Sequence, residues 1–298
     1  MYFTDHLKFW LNYRASKTTK QKIQRSLNDA ETNRLLHYIK LDTNFTLKQP
    51  QPVNAVSLFR KTGYAYDWYR IFDRSEDRLC QHLFGDISFV ADQPSFCKSR
   101  PISIDNQNNV LMPLNTVRHF RFLNDDTQFN QKINGAVWRG AAYKEKRRDF
   151  LEKTKDMDLC NTADTSPHSG RSLTGTSKNF MSLQKQLRYK FVFAIEGNDV
   201  ASNLKWAMSS NSAVIMPKPT KETWFCESFL EPGRHFIEIR PDYADIEEKL
   251  EHFLDHPMET QEIIGEANRF CEPFKDLERQ FEIARLVAGK YFSLLTEG

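Results

Sequence analysis

From residue 131 onward, short apolar runs alternate with amphipathic stretches. Ala136–Trp138 reads as a strand and Lys144–Lys153 as a helix, followed by a short strand at Met157–Cys160 and a helix over Phe180–Arg188. Phe191–Ile195 (FVFAI) is apolar at every position, the pattern of a strand buried on both faces. Val200–Ser209 reads as a helix, Ala213–Met216 (AVIM) as another buried strand, and His235–Ile239 as a further strand. Helices are predicted over Asp245–Asp255, Glu259–Phe270 and Leu277–Leu295. This order of strands and helices predicts an α/β fold, a parallel sheet with helices on both faces. Ligands bind such sheets outside the carboxyl ends of the strands. The residues just after each strand therefore carry the functional expectation.

The first part of the chain, to about residue 130, has a different texture. Asp86–Ala91 (DISFVA) and Val110–Leu114 read as strands, separated by the loop-like stretch DQPSFCKSRPISIDNQNN. A length of 298 residues suits about two domains.

Composition narrows the function classes. The net charge is +3, with no basic stripe, which speaks against a nucleic-acid partner but allows contact with phosphates or anionic lipids. The five cysteines, Cys80, Cys97, Cys160, Cys226 and Cys271, are scattered and include no CxxC pair. That argues against a disulfide framework and a zinc site, and for reduced thiols in the cytoplasm. No run of about 18 apolar residues is present, so no membrane-spanning helix is expected. The N-terminus, MYFTDHLKFWLNYRASKTTKQK, is basic and amphipathic and has no continuous apolar core of a signal peptide. Two readings fit it: a packed helix with a solvated charged face, and a segment that rests on a membrane surface.

Three strand-end loops can hold a ligand. In WRGAAYKEKRRD, Gly140 can let backbone approach closely, and Arg139, Arg147 and Arg148 cluster near a helix N-terminus. Cations there oppose the helix dipole, as an anion site would require; local ion pairing within EKRRDF is the alternative. In EGNDVAS, Gly197 and Asn198 suit a tight turn and Asn198 or Asp199 can cap the next helix. Glu196, at the strand end, is placed to hold ribose hydroxyls. In PKPTKETWF, Lys218 can reach a phosphate or lie in solvent. Asp156-Met157-Asp158 has the form of a DxD metal motif, but three residues among 39 acidic ones carry little information, and no metal is expected.

Together these residues resemble glycosyltransferase family 90. The resemblance spans about residues 86–255 and rests on WRG, the Arg148-Asp149 pair, YKFVFAIEGN, LKWAMSSNSAVIMPKP with ETWF, and HFIEI followed by Asp245. The branch that acts on lipopolysaccharide core looks closest. The resemblance implies a GT-B architecture, two Rossmann-like domains facing a cleft. An acceptor-side domain over residues 1–130 would carry the base. A nucleotide-sugar domain over 131–298 would end in a helix that crosses back. It also implies metal-independent, inverting transfer of a hexose or related sugar from a UDP-sugar, with no other cofactor, to a glycan hydroxyl at the inner membrane face. Asp92, in FVADQP, matches the context of the family's catalytic base. Two positions depart from the pattern: Asn203 stands where many relatives have Arg, and Ala141 where Ser is common.

Inverting transfer needs a base for the acceptor proton and a stabiliser for the departing diphosphate. On this reading Asp92 is the base, and Arg148 with Arg139 and Lys218 neutralises the diphosphate. Arg139, Gly140, Glu196, Gly197, Asn198 and Asn203 complete the donor site, while Lys98 and Arg100 face an anionic acceptor. A non-catalytic protein that binds nucleotides or anionic glycans would share the basic loops but would not need Asp92.

Overall fold

The computed structural model describes residues 26–59, 62–167 and 178–296. The basic N-terminal stretch considered for membrane contact lies outside them. Among the described residues, 26–33 belong to one unit and those from 34 onward to another. In the first, the described residues open helix α1 (Asp29–Tyr38). Asn28 Oδ1 accepts the Glu31 N–H at 2.8 Å and Glu31 Oε2 accepts the Asn28 N–H at 3.0 Å, a reciprocal cap for two helix-end amides.

In the larger unit, β1 (Gln51–Pro52) pairs antiparallel with β2 (Leu79–Cys80), and helix α2 (Thr62–Ile71) lies between them in sequence. β3 (His82–Leu83), β4 (Ser95–Cys97) and β6 (Asn109–Leu111) form a parallel sheet in the order β3-β4-β6. β5 (Ser99–Pro101) leaves that sheet and pairs antiparallel with β11 (Lys221–Thr223). A short helix, α3 (Thr116–His119), follows β6. The second half builds a five-stranded parallel sheet from β7 (Ile133–Gly140), β8 (Cys160–Asp164), β9 (Tyr189–Phe193), β10 (Ala213–Met216) and β12 (Ile237–Glu238). Its helices are α4 (Glu145–Thr154), α5 (Leu183–Gln186), α6 (Leu204–Met208), α7 (Ile246–Asp255), α8 (Pro257–Lys275) and α9 (Leu277–Leu294).

The strand order β12-β10-β9-β7-β8 sets the position of the site. The chain runs outward from β7 to the edge strand β8, then returns to β9 on the other side of β7. Such a reversal opens a crevice at the carboxyl ends of the two central strands. The central strands β7, β9 and β10 are buried on both faces over their apolar runs, while the edge strand β8 is half-buried throughout. Trp138, Phe191, Phe193, Ile215 and Ile237 pack on one side with Phe150 of α4 and Leu250 of α7. Val137, Val192 and Val214, one residue out of phase, are equally buried on the other.

One expected strand is absent. Asp86–Ala91 runs as irregular chain, and the segment expected to be a loop forms β4 and β5. Side chains replace the missing ladder. Ser99 Oγ accepts the Ile87 N–H at 3.0 Å and donates to Ile87 O at 3.2 Å. Asn109 Oδ1 accepts the Ala91 N–H at 3.0 Å, and the Asn108 amide donates to Ala91 O at 3.0 Å. These polar residues looked like loop formers in sequence, yet they satisfy backbone that would otherwise need a strand partner. Ile87 and Ala91 are buried while Phe89 and Val90 face outward.

Helix α9 packs against the first half. Tyr291 meets Phe96 of β4 at a ring separation of 4.2 Å, and its hydroxyl donates to Pro94 O at 2.9 Å. All five cysteines are unpaired. None of the helices in the described residues is long and apolar enough to cross a membrane.

Candidate active site

The carboxyl ends of the two parallel sheets meet at a buried lysine. Lys98 leaves β4 and is almost fully enclosed. Its ammonium lies 2.6 Å from Asp86 Oδ1, beyond the end of β3, and 2.7 Å from Asp199 Oδ2, in the loop after β9. Asn198 of the same loop donates to Asp86 Oδ2 at 3.2 Å. Three loops from two sheets are thus joined by one cation. Burial, the largest single effect, favours the neutral amine, but Asp199, Tyr64 and Asp86 together outweigh it, and the Lys98 pKa is raised. Half-burial pushes the Asp86 carboxyl up; Lys98, with Asn198 and Arg118 in support, more than reverses this and holds it below the usual carboxylate range. Asp86 therefore stays ionised at neutral pH, as a general base must be.

His119, the last residue of α3, approaches Lys98 with Nε2 at 3.4 Å. Its Nδ1 is buried without a hydrogen-bond partner. Burial first, then the charges of Lys98, Lys205 and Arg118, hold its pKa well below the ordinary value, so the ring is neutral. The turn that carries it is fixed from below by Asp67, whose carboxylate accepts the Thr116 N–H and Oγ1–H, both at 2.7 Å.

The crevice between β7 and β9 is floored by Arg147 of α4. Its guanidinium donates to Ile195 O at 2.8 Å and to Ala141 O at 3.0 Å, so it ties together the loops after the two strands. It also lies 5.5 Å over the Trp138 ring. Both glycines of the site make room for this stack. A Cβ on Gly140 would come within 2.6 Å of the Trp138 ring, and one on Gly197 within 3.0 Å of the Arg147 guanidinium. The space beside Gly140 is thus filled by the protein's own indole.

The residues singled out in sequence fall into three groups. Asn198 and Gly197 border the crevice. Arg148 is exposed in the first turn of α4 and donates to Tyr143 O at 2.7 Å, folded over the loop after β7. Lys218 is exposed, and its ammonium makes no hydrogen bond or ion pair among the described residues. A second group is tied to the scaffold. Arg139 donates to Asn161 O and Oδ1, both at 2.7 Å, across to β8. Glu196 accepts the Thr220 N–H at 2.8 Å and its hydroxyl at 2.6 Å, so it clamps the loop after β10. Asn203 donates to Phe193 O at 2.8 Å. Neither Asn198 nor Asp199 caps α6, because the helix starts later, at Leu204, and Asp199 turns to Lys98 instead.

The third group stands away from the crevice. Arg100 is fully buried and donates to Glu222 Oε1 at 2.7 Å, His37 O at 2.7 Å and Asn109 O at 3.0 Å. Burial raises the Glu222 carboxyl, but His37 and Arg100 override it and bring it to about 2. This closed network leaves the Arg100 guanidinium nothing to offer an acceptor. Asp92 is exposed, beside Gln93 and Pro94 at the amino end of β4. That is the opposite end of the sheet from Asp86 and Lys98.

The arrangement is a carboxylate held ionised beside a crevice lined with cations, between two parallel sheets. Residues 106–295, nearly two thirds of the chain, match the family described as Glycosyl transferase family 90. The chain belongs to that family. O-glucosyltransferase LpsA of Dichelobacter nodosus is 37% identical over 279 residues, 92% of this chain and 86% of that protein. Protein O-glucosyltransferase 2 of Danio rerio is 25% identical over 150 residues, 48% of this chain and 29% of that protein.

For a glycosyl transferase of this family, sequence alone gives no role to Asp86 or His119, offers Asp199 only as a helix cap, and groups Arg147 with Arg148 in one cationic cluster. Asp86 was hidden by the apolar run ISFV, which made it the first residue of a supposed strand. Arg147 shares its neighbourhood with Arg148, and only the fold tells which guanidinium turns inward. Asp156 and Asp158 lie in the turn that enters β8 at its amino end, at the far side of the sheet from the crevice. Asp156→Asn and Asp158→Asn are therefore expected to leave transfer and its response to EDTA unchanged. Loss of a metal-stimulated rate in either variant, measured with and without manganese, would restore the DxD reading.

Proposed function

We propose that the chain is an inverting transferase that moves a hexose, on the pattern of its relatives a glucosyl group, from a UDP-sugar to a hydroxyl of a glycan acceptor such as lipopolysaccharide core. The two parallel sheets act as the facing halves of a GT-B-type arrangement. The observation that carries the reading is the meeting of Asp86, Lys98 and the Asn198–Asp199 loop at the carboxyl ends of both sheets, beside the crevice of β7 and β9. The donor's diphosphate lies in that crevice, against the first turn of α4. Arg148 closes on it with Lys218, and Arg147 ties the two loops together beneath it. The acceptor hydroxyl lies over Asp86, which takes its proton as the oxygen attacks the anomeric carbon from the side opposite the leaving diphosphate. Cationic side chains neutralise the leaving group, so the reaction proceeds without a metal.

Donor binding gives a direct test. UDP at about 100 times its dissociation constant is expected to stabilise the protein by roughly 2.7 kcal/mol. Arg148→Ala should lose much of that gain, because a charge-assisted partner of the diphosphate is gone. Thermal shift reads both. A folded Arg148→Ala protein with an undiminished UDP shift rules Arg148 out of the donor site, and a wild type indifferent to UDP rules out the donor class.

A further inference from the structure

Arg118 is the second-last residue of α3, adjacent to the buried His119. Its side chain is exposed, and its guanidinium makes no hydrogen bond or ion pair among the described residues. The helix that carries it is not free to drift. Asp67 holds its first turn from the buried side, and His119 rests on Lys98. Successive helical residues point about 100° apart. With His119 turned in to Lys98, Arg118 projects away from the buried face of the helix, one residue from the groups at the carboxyl ends of the sheets.

Its charge acts on the groups of the site. The charge of Arg118 helps to draw the Asp86 carboxyl down, after the larger effects of burial and of Lys98. Second only to burial, it also lowers the Arg147 guanidinium pKa, with Asp199 acting against it. The two guanidiniums come one from each half of the chain, and their like charges oppose each other. The nearby carboxylates do not resolve this: Asp86 and Asp199 both spend their charge on Lys98. Arg147 donates only to neutral carbonyls. Such a surplus of positive charge destabilises the empty site and is relieved by an anion.

We propose that Arg118 binds the donor's diphosphate from the side opposite α4, so that the leaving group is held by cations from both halves of the chain. The inference rests on the nucleotide-sugar reading above. It gives the acceptor-side half a share in leaving-group stabilisation.

Isothermal titration of wild-type protein and Arg118→Ala with UDP, pyrophosphate and uridine tests it. Because Arg118 is exposed and unpaired, and its charge opposes that of Arg147, the variant should melt at or slightly above the wild-type temperature without ligand. UDP and pyrophosphate affinities are expected to fall about ten- to a hundredfold, the loss of a hydrogen bond to a charged group. Uridine affinity should stay the same, since it has no phosphate for Arg118 to touch. Wild-type protein that binds neither UDP nor pyrophosphate overturns the donor reading and this inference together. If the wild type binds both and Arg118→Ala binds them as tightly, this inference alone falls. An increased KM for acceptor with unchanged UDP affinity would assign Arg118 to the acceptor instead, and would also overturn it.

Discussion

Asp86→Asn is expected to keep the fold and donor affinity while losing turnover by on the order of 10²- to 10⁴-fold, the range for removal of a general base. Asparagine preserves the shape of the side chain and can still accept from Asn198. Lys98 keeps its more deeply buried partner, Asp199, at 2.7 Å. What disappears is the charge that takes the acceptor proton. Asp92→Asn should transfer at close to the wild-type rate, because Asp92 lies at the amino end of β4, away from the crevice. The two variants together separate the candidates. Normal transfer by Asp86→Asn and a dead Asp92→Asn would return the base to the position suggested by the family resemblance. The lowered Asp86 pKa adds a second readout: the acidic limb of the free enzyme's rate profile should fall below the ordinary carboxylate value of about 4.

Lys98→Met is expected to have the largest effect on stability, about 3–5 kcal/mol, the usual loss when one partner of a buried ion pair is removed. Methionine fills much the same space, so the effect is electrostatic. The Lys98 and Asp199 side chains are 2% and 3% exposed, which leaves Asp199 no water to replace the ammonium. The stranded carboxylate should then take up a proton more readily in the folded than in the unfolded chain. A group with a raised folded pKa stabilises as pH falls through that value. The deficit of Lys98→Met, measured by urea unfolding, should therefore shrink from pH 8 to pH 5. Adding Asp199→Asn should recover part of it at pH 8, where the single variant suffers most. A deficit independent of pH and not relieved by Asp199→Asn would mean that Lys98 stabilises by packing rather than charge.

These outcomes turn on features that differ in how far the sequence declares them. The five-stranded sheet was legible because its strands are buried on both sides. Runs such as FVFAI and AVIM admit few other structures, and AVIM forms a strand over the same residues, Ala213–Met216. The loops at the ends of β7 and β9 followed from the same periodicity, since a parallel sheet places its ligand crevice there. The first half was less legible. Its strands are two or three residues long, interrupted by residues such as Ser95, Lys98, Arg100 and Asn109, which propensity assigns to loops. They are held by specific partners, such as Ser99 with Ile87 and Arg100 with Glu222, 122 residues away.

By itself, then, the sequence determined the α/β class, the parallel order of the second half and the family, because hydrophobic period and ordered motifs are local properties of the chain. Only the tertiary structure decided which charges belong to the site. Asp86 and Asp199 are 113 positions apart in sequence, yet both lie against the Lys98 ammonium. Arg147 and Arg148 are neighbours in sequence, yet one floors the crevice and the other folds over its rim. A charged side chain has a chemistry fixed by its type, but its partners, burial and ionisation come from whatever segments folding brings beside it.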